Sequence, residues 1–558
     1  MAEKVWHKFY PPNVPKNIDY DKHTISQALT RSAEKYPNQP AIDYMGKKIT
    51  FKELEDLVNS FARALIDMGV KKGDNVAVCL PNIPQVVIAD LAIMRIGAVI
   101  AQNNPLYTER ELEYQLNDSG SKFIITLSLL VPRMQGLMPK TKIKKIIACH
   151  IHSYLKFPVK QLFPYLKKAM HRDVEETDDI KVFSKLIKKY SKEPVKDKSK
   201  WEELATLIYT GGTTGVSKGV MLSNKNLSVN VQQIQNWFPD LTFGDDSIVG
   251  TYPLFHSAGN IISCFAVWLG WTQILIPRPE PKGIVDILKR TKPGWLPGVP
   301  TIFVGLLNEP SFRKMDLTFI KGFFSAAAPL APETLRDLKD LTGATMSEIY
   351  GMTEVSPGAT ITPSSGTIKP GTVGIPIADT EVKVMDPDKG KKELKPNETG
   401  EIIIKGPQLM MGYYNKPKET KEAVRNGWFY SGDLGFFDED GFLSIVDRKK
   451  DMVIAGGYNI YPVEIDNVLY EHPKILEACA AGVPDKYRGE TIKAFVVVKP
   501  GEKLTEKEVK EYCKKNLAAY KVPKMVEFMD ELPKSTVGKV LRRKLRDMEM
   551  ERAKDSGK

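Results

Sequence analysis

The sequence predicts an α/β protein built on mixed β-sheets, with a small separate domain at its C-terminal end. Three observations carry this expectation. Apolar runs of strand length alternate with helical stretches along most of the chain. A glycine- and threonine-rich loop, from Tyr209 to Val220, follows directly on one of those runs. A charged junction at residues 447–451 (DRKKD) divides the bulk of the chain from a shorter tail with its own helices and strands. The 558 residues suffice for about three or four domains and bury large cores without disulfides or metals.

In chain order, residues 75–80 (NVAVCL) read as a buried strand, and 84–96 as a helix opened by Pro84 and stopped by Gly97. Residues 122–126 (KFIIT) are a second strand, and 204–209 a strand feeding the glycine-rich loop. From 254 to 277 no residue carries a formal charge, long enough to raise a membrane-span question. Asn260, Ser263, Gln273 and Gly270 favour instead a buried helix over 258–269, a stop at Gly270 and a buried strand over 272–276. Residues 401–405 (EIIIK) form another strand. Beyond the junction we expect a helix over 462–471, strands over 475–480 and 493–499, a helix over 506–518 and a basic helix from Gly538.

The hydrophobic fraction of 42% and charged fraction of 27% exclude a disordered or fibrous class. The five cysteines, Cys79, Cys149, Cys264, Cys479 and Cys513, are odd in number and never at CxxC spacing. That speaks against a disulfide framework and a zinc site, and for a reducing compartment. The first residues are polar and hold no apolar core of signal-peptide length, so a cytoplasmic location is expected. A net charge of +12 attracts anions: nucleic acid, an acidic membrane surface or phosphorylated small molecules. No recognisable nucleic-acid module accompanies it. Residues 140–172 contain no Asp or Glu, several lysines, and interleaved Tyr154, Leu155, Phe157, Leu162, Phe163, Tyr165 and Leu166. They read either as a surface element for the inner face of an anionic membrane or as an exposed insertion packing on its own domain. Pro158 and Pro164 favour the insertion, because they break any long amphipathic helix.

The densest chemical signal is the loop 209–220 (YTGGTTGVSKGV). Gly211, Gly212 and Gly215 let backbone N–H groups turn toward an anion. Thr210, Thr213 and Thr214 add hydroxyl donors, and Lys218 adds a point charge, a set suited to the β- and γ-phosphates of ATP. A Walker A loop has glycine before its lysine and Ser/Thr after it; here Ser217 precedes Lys218 and Gly219 follows. A GxGxxG fingerprint is absent too. The loop resembles the signature of adenylate-forming enzymes, the superfamily of acyl-CoA synthetases, peptide-synthetase adenylation domains and firefly luciferase. That signature usually reads TSGTTGxPKG; Gly211 and Ser217 stand at its serine and proline positions. The TGGTTG variant is similar to that of the long-chain fatty-acyl-CoA synthetase branch.

The resemblance extends over nearly the whole chain. Residues 253–256 (PLFH) resemble a segment that implies His256 at the acyl and coenzyme A side, a positioning and gating member of the catalytic set. Residues 325–330 (SAAAPL) resemble the strand and turn beside adenine, implying Ala327 and Ala328 there. Residues 350–354 (YGMTE) resemble the YGxTE motif. It implies Tyr350 stacked on adenine, Thr353 on the α-phosphate, and Glu354, with Thr213, at Mg2+. Residues 430–435 (YSGDLG) resemble TGDLG, implying Asp433 on the ribose hydroxyls; the next motif adds Arg448 to the ribose and Lys450 as hinge. Residues 455–465 (AGGYNIYPVEI) resemble the pantetheine tunnel segment, implying Gly456, Gly457 and Tyr458 along it. Residues 533–539 (PKSTVGK) resemble PxxxxGK, implying that Lys539 stabilises the carboxylate and α-phosphate during adenylation. Arg542, Arg543 and Lys544 beside it read as a solvated basic face.

The resemblance implies a fuller architecture: an N-terminal domain, 1–447, of mixed sheets flanked by helices plus a small β-barrel-like subdomain. A hinge at 448–450 and a mobile α+β domain, 451–558, complete it. It implies activation of a medium- or long-chain fatty acid with ATP and Mg2+ to acyl-AMP and pyrophosphate, then transfer to coenzyme A with release of AMP. The alternatives are an aryl or other acid, a carrier-protein phosphopantetheine as acceptor, a non-catalytic acyl-nucleotide binder, and a basic nucleic-acid-binding protein. A homodimer is left open. The apolar runs 261–269 and 299–307 are the candidates for an acyl tunnel.

Overall fold

The computed structural model describes residues 4–555 except 211–216, 327–329, 331, 388–389, 391, 450, 456–457, 486–488 and 536–537. Two large sheets enclose shared helices. The first has eight strands; Asn75–Cys79, Val99–Gln102, Phe123–Leu127, Lys145–Cys149 and Leu204–Thr210 run parallel, and Lys218–Ser223 returns antiparallel. The second has nine strands, including the parallel Ser247–Gly250, Thr272–Leu275, Trp295–Gly298, Gly322–Ala326 and Thr345–Gly351.

Period-two alternation sorts each strand between layers. Val76, Val78, Ile125 and Ile147 join the central core, while Ala77, Ile124 and Ile146 join a core on the sheet's outer face. In the second sheet Ile248, Leu275 and Phe324 face the centre, and Val249, Ile274 and Phe323 face outward. Helices Ile25–Lys35, Phe51–Asp67, Pro84–Arg95, Asn224–Trp237 and Ser257–Leu269 fill the central layer. Strands buried on both faces read as unbroken apolar runs, which is why they are plain in the sequence.

The uncharged stretch near 254–277 is, as expected, a helix (Ser257–Leu269), a left-handed Gly270 and a strand (Thr272–Leu275). No helix among the described residues is long and apolar enough to cross a membrane. All five cysteines are free and buried.

A smaller sheet holds Glu381–Met385, Gly400–Lys405, Trp428–Phe437 and Leu443–Arg448; its pairings among the described residues form an open path rather than a closed ring. The C-terminal unit has its own sheet. Helices Pro462–Tyr470 and Glu506–Asn516 cover one face through Ile465, Leu469, Val509 and Cys513. Helix Arg542–Asp555 covers the other, where Leu545 meets Cys479 and Phe495. This last helix starts four residues later than expected. Gly538 takes φ +79°, and Val540 bridges Lys534, so 534–540 closes a turn before the helix begins.

Candidate active site

The glycine-rich loop is the tip of an antiparallel hairpin, with Thr210 opposite Lys218 and Tyr209 opposite Gly219. A Cβ on Gly219 would lie 3.2 Å from the Tyr209 ring, so only glycine fits without displacing it. The hairpin aims Lys218 at a neighbouring chain segment: its ammonium lies 4.7 Å from the centroid of the Tyr413 ring. The Tyr413 hydroxyl donates to Glu354 Oε1 at 2.8 Å. Burial pushes the Glu354 carboxyl up, against the opposing pull of Tyr413, Arg448 and Lys218. Tyr413 thus connects the loop lysine to the acidic motif, and no motif in the sequence pointed to it.

A second cluster adjoins the first. Asp433 and Arg448 are cross-strand partners, with Arg448 Nε 3.1 Å from Asp433 Oδ1. The Tyr350 hydroxyl donates to Asp433 Oδ2 at 2.9 Å, and burial followed by the Asp433 charge holds the phenol firmly protonated. Thr353 is buried and donates to Ser257 Oγ at 3.0 Å. Ser257 opens the helix capped by His256, whose Nδ1 accepts from the Ala258 N–H at 3.3 Å. Burial first, and the Lys539 cation second, push His256 down to about 4, so it is neutral at pH 7.

Lys539 arrives from the C-terminal unit. Its turn is held by Ser535 N–H to the Lys539 carbonyl at 2.7 Å and by Lys539 N–H to Ser535 Oγ at 3.2 Å. A Cβ on Gly538 would meet Thr301 Oγ1 at 3.0 Å, so the turn docks closely on the N-terminal domain. Desolvation, then Arg448, depress the Lys539 amine to about 8. Arg448 therefore acts on both Glu354 and Lys539.

The expectation of a solvated basic face fails at Arg542. Its side chain is 14% exposed and contacts Asp447, Asp466 and the Ala480 carbonyl. Asp447 also accepts from the Val463 N–H at 3.0 Å. One carboxylate at the start of the junction thus receives two donors from beyond it. The correction has a simple cause: Arg542 begins a helix whose face packs on the sheet, which local charge pattern does not reveal.

Residues 29–414 match the family model described as AMP-binding enzyme, and 464–539 match its C-terminal domain. The chain belongs to the AMP-binding enzyme family. The long-chain-fatty-acid–CoA ligase of Bacillus subtilis strain 168 is 41% identical over 557 residues, covering 99% of both chains. The ligase of the same name from Escherichia coli O157:H7 is 38% identical over 553 residues, covering 98% of both. Among solved structures, ATP-bound MatB from Rhodopseudomonas palustris is 30% identical with a TM-score of 0.83, covering 94% of this chain and 99% of that one.

As in any AMP-binding enzyme, the site must accept a nucleotide. Ser325 Oγ is buried and, among the described residues, has no hydrogen-bond partner; it sits on the strand leading to the expected adenine turn. Glu354 suits Mg2+, which keeps waters and phosphate oxygens and takes only one or two protein carboxylates. No group of three ligating side chains among the described residues forms a closed metal site. Gly211, Gly212, Thr213, Thr214, Gly215, Ala327, Ala328, Lys450, Gly456 and Gly457 lie outside the described residues; of Tyr458 only the backbone is described, in the strand Tyr458–Ile460.

An apolar cavity of about 50 Å³ lies beside Tyr252, Ile261, Ile262, Phe265, Phe324 and Ile349. The run 261–269 therefore contributes to it. The run 299–307 divides: Phe303, Leu306 and Leu307 enter the core on the outer face of the nine-stranded sheet, while Val299 and Thr301 lie against Gly538 of the Lys539 turn.

Proposed function

We propose that this protein activates a medium- or long-chain fatty acid with ATP to acyl-AMP and pyrophosphate, then forms the acyl-CoA thioester and releases AMP. The observation that carries the reading is the convergence of Lys218, Glu354, Asp433 and Lys539 around Arg448. A carboxylate is a poor acyl donor because oxide is a bad leaving group. Attack of its oxygen on the α-phosphorus makes a mixed anhydride, and pyrophosphate departs with the electron pair. Lys539 and Thr353 face the charge that develops on the α-phosphate, and the loop with Lys218 holds the leaving phosphates. Bound at Glu354, Mg2+ would neutralise phosphate charge. The thiol of coenzyme A then attacks the carbonyl carbon and AMP leaves. A neutral His256 at the helix start suits positioning and gating rather than proton transfer.

The domains of this reading are 1–447, a hinge at 448–450 and 451–558. Rotation about Lys450 would exchange the Lys539 turn for the segment of Gly456, Gly457 and Tyr458, which would line the pantetheine arm. The reading includes peripheral contact between residues 140–172 and the inner face of the membrane. It also allows a homodimer, which sedimentation velocity measures.

The small cavity favours a second reading, a short or aryl acid. It holds only a few waters, so a long chain must extend it along Ser257–Leu269 past Phe265. Acid-dependent pyrophosphate exchange, followed by AMP release with coenzyme A, tests the function across acids of increasing length. The primary reading requires a rise in kcat/KM up to long chains. Activity confined to short or aromatic acids establishes the second, and no exchange with any acid sinks both.

A further inference from the structure

The phosphate-loop hairpin departs from its family's signature at the residue just before its lysine. Ser217 stands there in place of proline, and Lys218 follows it. A proline ring would lock φ at that position near about −65°. A serine leaves the dihedral free, beside the residue that must aim a point charge at the phosphates. The Lys218 ammonium rests over the Tyr413 ring rather than in an ion pair among the described residues, so the backbone before it sets its aim. Something other than a proline must hold that backbone.

The holder is the helix Glu109–Ser119. Its Gln115 Nε2 donates to Ser217 Oγ at 3.3 Å. Three residues on, Asp118 Oδ2 accepts from the Tyr209 hydroxyl at 2.9 Å, and that hydroxyl also lies 3.3 Å from the Gln115 carbonyl. Residues three apart share a helix face. One face therefore grips both legs of the hairpin, Tyr209 on the way in and Ser217 on the way out. The helix makes a firm base: Thr108 and Glu111 close its first turn as a capping box, and Gly120 ends it in the left-handed region. The segment after Tyr413 ties the same elements together, with Tyr414 N–H to the Gly219 carbonyl at 2.8 Å and Asn415 Nδ2 to the Asp118 carbonyl at 3.1 Å.

Gln115 is 1% exposed, and its Oε1 has no partner among the described residues. Among them its side chain makes one hydrogen bond, to Ser217. Burying a primary amide for a single bond is less stable than burying an apolar side chain of similar size. What the amide contributes is its hold on the loop.

We propose that Gln115 is a positioning residue for Lys218: by holding the Ser217 hydroxyl it fixes the return leg of the phosphate loop, as a proline ring would at that position. This role rests on the nucleotide binding of the proposed reaction, but on no particular acid.

The test is calorimetric binding of Mg-ATP and of AMP to the full chain without any acid. Q115L keeps the volume and removes the donor; S217A removes the acceptor at a half-buried position. Each should weaken ATP binding about threefold to tenfold, the range of one hydrogen bond. AMP lacks the phosphates that Lys218 faces, so its affinity should stay within about twofold of wild type; a general loss of structure would lower both. Q115L/S217A should be no weaker than Q115L, because the two changes break the same bond. S217P, alone or with Q115L, should bind ATP within about twofold of wild type, since the ring restrains the backbone without the amide. If Q115L does not fold, the contrast between S217A and S217P carries the test alone. Unchanged ATP affinity in S217A overturns the assignment. So does equal loss of ATP and AMP, or a folded Q115L that proline at 217 fails to restore. Pyrophosphate exchange is not the readout, so failure of the proposed reaction with every acid would be seen separately.

Discussion

The nucleotide end of the N-terminal domain and the Lys539 turn bring charge to one cleft by opposite means. Asp433 and Glu354 are each held in place: Asp433 by Tyr350 and Arg448, Glu354 by Tyr413. Lys539 is held through its backbone turn, which packs on Thr301, and its ammonium pairs with no carboxylate among the described residues. Away from the cleft, Asp447 contacts Arg542 and Val463 of the C-terminal unit. Fixed groups suit a ligand present in both half-reactions. A cation anchored from outside the cleft suits one that only the first half-reaction needs.

The largest expected effect tests that division directly. Lys539→Ala should slow adenylation by about 10²–10³-fold while leaving thioester formation from supplied acyl-AMP within a few-fold of wild type. Equal loss of both would erase the contrast. Lys450→Pro is the mirror experiment: it should block the second half-reaction and spare pyrophosphate exchange, and full activity would remove the hinge. Asp433→Ala should lower kcat/KM for ATP by at least about a hundred-fold, from two lost charged hydrogen bonds. The same substitution should also impair use of acyl-AMP, unlike the lysine variant. An effect on only one half-reaction would place Asp433 with the mobile set.

Asp447→Asn weakens the junction without touching the cleft. Adenylation should fall about tenfold more than thioester formation, the shift expected if the Arg542 contact favours the adenylating arrangement by about 1.4 kcal/mol. An unchanged ratio of the two rates would mean the contact is structural alone. The gentlest test is pH. Only the protonated Lys539 stabilises the developing anion, and its amine is depressed to about 8. In the free enzyme, kcat/KM for adenylation should therefore be level below that value and fall about tenfold per unit above it. A profile level to pH 10 would show that the amine is not depressed.

Much of this was legible from local pattern. The parallel strands announced themselves because both faces of each sheet are covered, and the helix Pro84–Arg95 begins and ends where Pro84 and Gly97 require. The uncharged stretch resolved correctly because Gly270 interrupts it. The motifs located Asp433, Arg448, Glu354 and Lys539, since each lies inside a short stretch of specific residues. Tyr413 was invisible: a tyrosine in a two-residue strand carries no signal until the fold sets it between Lys218 and Glu354. Arg542 was misread because three consecutive cations look solvated whenever their neighbours are unknown.

By itself, the sequence determined the layered α/β architecture and set Glu354, Asp433, Arg448 and Lys539 in short recognisable motifs, because strand period, turn residues and motif spacing are local properties of the chain. Only the tertiary structure decided which groups share Arg448, which arginine is buried at the junction, and that Phe303, Leu306 and Leu307 belong to the core on the outer face of the nine-stranded sheet. Those facts join residues tens to hundreds of positions apart, and burial and charge coupling arise only when the fold has removed the water between them.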